Sequence, residues 1–295
     1  MKRIFSEILY VALMVLAYMA FQGLFTFLAM VAGTLYAVLA GALPVDALES
    51  VGELAVMPGV EGIYVWSVAT GLLLSTVAML LFIHVTKGYR IRSSVFRSMT
   101  ANSLFLSTML IFSAMFALNI FVQWFELEDL LQDQFKGLTH NPLGIITISL
   151  LAPLLEEVLF RGAIQGYLMR RHNPWTAIVC AALAFGILHW NPVQTLYATL
   201  LGVVFGWIYY RTGSLLSVIV GPVLNNSLAT VVMLLFGSDE PSVLPAGVSS
   251  PAAETISEIV TFLFFAFLSL YFAVRLHRSL PSVQTPWRDF GGEIR

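Results

Sequence analysis

Hydrophobic and polar residues follow one another along this chain in long blocks, with no short helical or strand period. Apolar stretches fall at about 8–40, 62–86, 98–125, 141–169, 174–190, 192–210, 214–236 and 257–274. Most approach the roughly 20 residues that an α-helix, rising about 1.5 Å per residue, needs to cross a hydrocarbon layer about 30 Å thick. Helix is the expected form, because an open strand edge in lipid would leave backbone groups without partners. Turn-forming residues separate the blocks: Pro44, Asn141-Pro142, Asn173-Pro174, Asn191-Pro192 and Gly213. The pattern predicts an all-α, polytopic membrane protein, a bundle of about eight transmembrane helices. The fifth and sixth are short, and the turn between them, His189-Trp190-Asn191-Pro192, has no charge that would bar it from the bilayer.

The first block has the outline of a signal peptide, with Lys2 and Arg3 before it and Ala40-Gly41-Ala42 after it. Residues 8–45 carry no charge, however, which is far longer than the roughly 7–15 apolar residues of a cleaved signal. A retained first helix is expected. Loops 44–61, 126–140 and 237–256 and the tail 277–295 are too short to fold alone. The chain therefore divides into helices one to three (1–140), a segment of four helices (141–236), and a last helix with its tail (237–295), all within one membrane domain.

Composition agrees: of 295 residues, 58% are hydrophobic and 11% charged, against roughly 25% charged in soluble domains. A formal net charge of −2 argues against nucleic acid as a partner, which usually needs a concentrated basic patch. The single cysteine, Cys180, cannot form an internal disulfide. Charge placement suggests an orientation. With both termini cytoplasmic, in a cell (inner) membrane, the inside segments hold Lys2, Arg3, Lys87, Arg90, Arg92, Arg97, Arg170, Arg171, Arg211, Arg275, Arg278, Arg288 and Arg295, and the outside segments only Lys136. The bilayer is the first partner implied.

Three polar islands interrupt the apolar blocks. The fourth block contains Glu156, Glu157 and Arg161, each costing roughly 2.5–3.5 kcal/mol at mid-bilayer unless partnered or hydrated. Glu157 and Arg161, four apart, share a helix face and can pair. Glu156 is rotated about 100° away and is left free to handle protons. A purely structural ion cluster joining helices is the plainer reading of the same three residues. The second island is Phe185-Gly186-Ile187-Leu188-His189, whose imidazole can hydrogen-bond, ligate a metal or accept a proton, or simply be a satisfied residue at a helix end. The third is Asn225-Asn226, preceded by Gly221-Pro222; amides in lipid commonly bind neighbouring helices. His84, His140, His172 and His277 fall at helix ends or in loops and carry little signal.

A Glu-Glu-x-x-x-Arg run, Phe-x-x-x-His one helix later and an asparagine two helices after that resemble the CPBP intramembrane proteases. That family includes the CAAX prenyl endopeptidase of the Ras-converting type and bacterial Abi-type and bacteriocin-processing relatives. The resemblance covers about 141–230, including Ala152-Pro153, Phe160-Arg161-Gly162, His189-Trp190-Asn191-Pro192, the 202–214 stretch and Leu224-Asn225-Asn226. It implies an intramembrane endopeptidase acting on membrane-associated peptides or proteins. Glu156 would be the catalytic glutamate, His189 its partner in activating water, and Asn226 an oxyanion donor. Glu157, Arg161, Phe185 and Asn225 would support them. A buried carboxylate suits the transfer of a proton from water to the leaving amine.

One departure stands out. The family's last motif is commonly His-x-x-x-Asn, and the position four before Asn226 is Pro222. Loss of one oxyanion donor typically costs about 10²–10³ in rate, so a catalytically impaired binding or scaffold protein is the first rival and a proton-coupled transporter the second. The family is often labelled metalloendopeptidase, but Glu156 and His189 supply two candidate zinc ligands where catalytic zinc takes three. The cofactor is left unknown. Helix counting also places Glu156 and Asn226 near mid-bilayer and His189 nearer the outer end, so the fifth helix must tilt, start deeper or re-enter for His189 to meet Glu156.

Overall fold

The computed structural model describes residues 2–44, 61–86, 99–128, 130, 142–236 and 250–280. Much of the charged loop sequence, including Asp46, Glu49, Arg90, Arg92, Arg97 and Lys136, lies outside the described residues, as do His140 and the tail 281–295. The described residues form eight helices and no strand: α1 (Lys2–Leu39), α2 (Glu61–Val85), α3 (Ala101–Gln123), α4 (Pro142–Met169), α5 (Pro174–Ile187), α6 (Pro192–Thr212), α7 (Leu216–Phe236) and α8 (Pro251–Ser279). Six of them (α1, α2, α3, α4, α6 and α8) are long and apolar enough to cross a bilayer. The chain is an all-α polytopic membrane protein. α5 has only 14 residues, and α7 carries Pro222 inside it.

The punctuation read from sequence works through caps. Asn173 accepts the N–H of Thr176 at 2.9 Å with Pro174 at the first turn, where a missing N–H costs nothing. Thr100 and Ser250 cap α3 and α8 in the same way. α6 stops at Gly213, whose left-handed φ of +67° suits a residue without Cβ.

Burial sorts the helices into centre and rim. Half of the most apolar stretch of α4 is buried inside the protein, against 11% for α1 and 6% for α8. Leu155, Leu159, Phe160, Ala163 and Ile164 of α4 are all buried, and most of the surface of α1 and α8 is left outside the bundle. α5 and α6 pack closely because the residues between them are small. A Cβ on Gly186 would collide with Thr199 Oγ1, and one on Gly202 would lie 3.1 Å from Ala182 Cα. Without a hydrophobic drive between helices in lipid, such close approach is what dispersion packing needs.

α4 is continuous but irregular. Two widened, π-helical stretches, Thr147–Leu151 and Val158–Gln165, flank an ordinary α-helical turn at Ala152–Glu157. Widened turns of this kind recur at functional segments.

Candidate active site

The first widened turn has an identifiable cause. The N–H of Ala152 bonds to the carbonyl of Thr147, and the next residue, Pro153, has no N–H. The carbonyl of Ile148 is thereby left without a backbone donor. It takes the side-chain amide of Asn226 from α7, Nδ2 donating at 3.0 Å. Next to it Ser149 and Thr230 share a hydroxyl contact of 3.1 Å, and Thr230 Oγ1 donates to the Asn226 carbonyl at 2.8 Å. These bonds staple α7 to α4. Asn226→Leu should therefore leave Ile148 unpartnered and cost about 1–3 kcal/mol, seen as a lowered thermal midpoint in detergent, whatever its effect on activity.

Glu157 and Arg161 meet as their spacing predicts. Both side chains are 1% exposed, with Nε and Oε2 3.2 Å apart, though the angle is poor for a hydrogen bond. Arg161 Nη2 also approaches the Gly202 carbonyl of α6 at 3.4 Å. Its guanidinium lies between two rings, 4.7 Å from the centre of Phe185 and 5.2 Å from that of Phe205. One carboxylate, one carbonyl and two ring faces offset the cost of a buried cation. One turn on, Gln165 Nε2 donates to the Gly206 carbonyl at 2.8 Å, which continues the α4–α6 seam.

Glu156 faces elsewhere, as its rotation requires. It opens on a cavity of about 90 Å³ whose walls also include Phe160 of α4, Phe185, Leu188 and His189 from α5 and its end, and Tyr18 and Gln22 of α1. That volume holds several waters. Glu156 and His189 thus reach the same small space. α5 is short: its 14 residues span about 21 Å. The chain turns back at residues 188–191, and that turn brings His189 to the cavity.

The turn also fixes the histidine ring. Its Nδ1 lies 2.9 Å from the Phe185 carbonyl, which can only accept, so Nδ1 carries the proton and Nε2 keeps the lone pair in the neutral ring. Phe185 meets the imidazole edge-to-face at 4.9 Å. Trp190 then takes a left-handed backbone, φ +50°, and buried Asn191 accepts the Leu130 N–H at 3.3 Å. Phe185 therefore has two roles, one ring face on Arg161 and a carbonyl on His189.

Asn225, Asn226 and Pro222 do not line this cavity. Asn225 Nδ2 donates to Asn226 Oδ1 at 3.4 Å, and Pro222 is buried within α7. Among the described residues no third His, Cys, Asp or Glu joins Glu156 and His189 in a metal-binding group. Among the described residues Glu156 and His189 supply two of the three protein ligands that a catalytic zinc takes.

The residues missed in the sequence are on α1. Buried Glu7 lies 2.7 Å from His172 Nε2, and Tyr10 stacks on Tyr167 at 3.9 Å. The same face carries buried Met14 and Tyr18, and Gln22 follows one turn later. These polar residues at helical spacing in an apolar run were the available signal. They hold α1 against α4 and bring it to the cavity.

Residues 138–228 match the family described as type II CAAX prenyl endopeptidase Rce1-like. The likeness is confined to this segment, the one that carries the glutamate, histidine and asparagine motifs. A relative agrees: YdiL, a candidate membrane peptidase of Bacillus subtilis (strain 168), is 32% identical over 93 residues, 32% of this chain and 38% of YdiL. The chain thus spans less than half the length of that relative. No solved structure matches. The Rce1-like core contains α4 to α6 and the part of α7 that holds Asn225 and Asn226; α1, with Tyr18 and Gln22, lies outside it.

Proposed function

We propose that the protein is an intramembrane endopeptidase that hydrolyses membrane-associated polypeptides with water activated by Glu156 and His189. The observation that carries this reading is their shared cavity, where a carboxylate unclaimed by Arg161 faces an imidazole whose Nε2 lone pair is free. Glu156 takes one proton from water while Nε2 accepts a hydrogen bond from the O–H that the water oxygen keeps. The water oxygen bonds to the scissile carbonyl carbon, and the C=O electron pair moves to the oxygen. The oxyanion pair then re-forms the carbonyl, the C–N pair leaves with nitrogen, and the Glu156 proton passes to that amine, so acid and base are one group. Glu157 and Arg161 hold the helix in register and leave the proton chemistry to their neighbour.

The test is a library of quenched single-span peptides in liposomes, incubated with wild type and Glu156→Gln. Cleavage by wild type alone supports the reading, and equal cleavage by both rejects it. The impaired-binder reading has its own support in Pro222 and in the commitment of Asn226 to Ile148. On that reading Glu156→Gln would keep the protein's biological effect.

The orientation we propose places both termini in the cytoplasm of a cell (inner) membrane protein. Glu7 of α1 meets His172, and Arg211 Nη2 donates to the His277 carbonyl at 3.0 Å. These contacts gather Arg170, Arg171, Arg211, Arg275 and Arg278 near one end of the bundle, as the positive-inside rule expects of a cytoplasmic face. In a Cys180→Ser background, a cysteine replacing Leu130 should label from outside in intact cells. One replacing Thr86 should label only after permeabilisation; the opposite pattern inverts the topology.

A further inference from the structure

A polypeptide carbonyl attacked in this cavity would develop negative charge on its oxygen, and that oxygen needs hydrogen-bond donors. The donors on the cavity wall can be counted. His189 Nδ1 is spent on the Phe185 carbonyl, and the Asn226 amide lies on Ile148, outside the wall. Glu156 handles the proton of the water. Phe160, Phe185 and Leu188 have no side-chain donor. Tyr18 and Gln22 remain.

Their mutual geometry leaves both able to donate. Gln22 Nε2 donates one N–H to Tyr18 Oη at 3.0 Å. The phenol is the acceptor in that bond, so its own O–H proton is not used by it, and a primary amide has a second N–H. Tyr18 is 8% exposed, on an α1 face otherwise pinned by Glu7 and Tyr10. Charge developing on an oxygen that accepts from Tyr18 is shared along the Gln22-to-Tyr18 bond, because a hydrogen bond donated to the phenol oxygen strengthens the one it gives.

We propose that Tyr18, polarised by Gln22, is the oxyanion donor of this enzyme, supplied by α1 from outside the Rce1-like core. This role rests on the endopeptidase reading. Tyr18 is then a catalytic residue that touches the scissile carbonyl oxygen, and Gln22 is a positioning residue that acts through it. No bond to Tyr18 forms or breaks; the phenol keeps its proton throughout.

The experiment uses the full chain in liposomes with the same quenched peptides, comparing wild type, Glu156→Gln, Tyr18→Phe and Gln22→Met. Tyr18→Phe keeps the ring and removes the hydroxyl, both the proposed donor and the acceptor of the Gln22 amide, so its thermal midpoint is measured beside its kinetics. A fall in kcat of about 10²–10³-fold with KM little changed is expected. Gln22→Met should show a smaller fall in kcat, again without a change in KM, and no further fall when added to Tyr18→Phe. A merely structural pair would instead lower thermal midpoints or raise KM. Unchanged kcat in Tyr18→Phe, or a rise in KM alone, overturns the role while leaving the endopeptidase reading intact. Equal rates in wild type and Glu156→Gln overturn both.

Discussion

Arg161→Met is expected to destabilise the protein by about 3–5 kcal/mol, because it leaves the Glu157 carboxylate buried without its counter-ion. Both side chains are 1% exposed, so water cannot replace the lost partner. The substitution also removes the cation from between Phe185 and Phe205, where it lies 4.7 Å and 5.2 Å from the ring centres. Activity should fall with the folded fraction. The control is the double variant Glu157→Gln/Arg161→Met. Once both charges are gone, burial no longer penalises the site in the same way, and most of the stability should return. Thermal unfolding in detergent reads both effects. Equal losses in the single and double variants would show that Arg161 acts through packing, not through charge compensation.

Glu156→Gln should behave in the opposite way, although the two glutamates adjoin. Glu156 is not in the Glu157–Arg161 ion pair, and an amide of the same shape fills its place at the cavity. The thermal midpoint is therefore expected to stay near that of wild type. Turnover of a cleaved peptide should fall by about 10²–10⁴-fold, the usual contribution of a general base, with KM little altered. His189→Ala should give a comparable kinetic loss by removing the Nε2 acceptor. A kcat that survives Glu156→Gln would move the proton acceptor elsewhere. A collapse in stability would assign Glu156 to the structural cluster and favour the plainer reading of the island.

The contrast between these neighbours was legible from residue order. Four positions put Glu157 and Arg161 on one face, and one position turned Glu156 away, because side chains on a helix separate by about 100° per residue. The helical, polytopic character was equally legible, since only closed backbone hydrogen bonding survives in lipid. Block length and composition alone demand it. The resemblance of 141–230 to the CPBP proteases rested on short motifs and was met by the family match at 138–228.

Other features depended on contacts between segments far apart in the chain. That His189 and Glu156 share a cavity follows from where α5 ends, three residues short of the expected 190, and boundaries at that scale are set by the turn and its caps. The resemblance made Asn226 an oxyanion donor; its commitment to Ile148 follows from a carbonyl that Pro153 orphans on another helix. Tyr18 and Gln22 gave no motif at all. Their meaning comes from Glu7 and Tyr10 docking α1 on α4, and that docking positions them more than a hundred residues from the glutamate they face. Sequence by itself determined the helices, the bilayer and the pairing within α4, because those follow from period and hydropathy along one segment. Only the tertiary structure decided which side chains share the water-sized space, because that depends on where helices end and which faces they turn to one another.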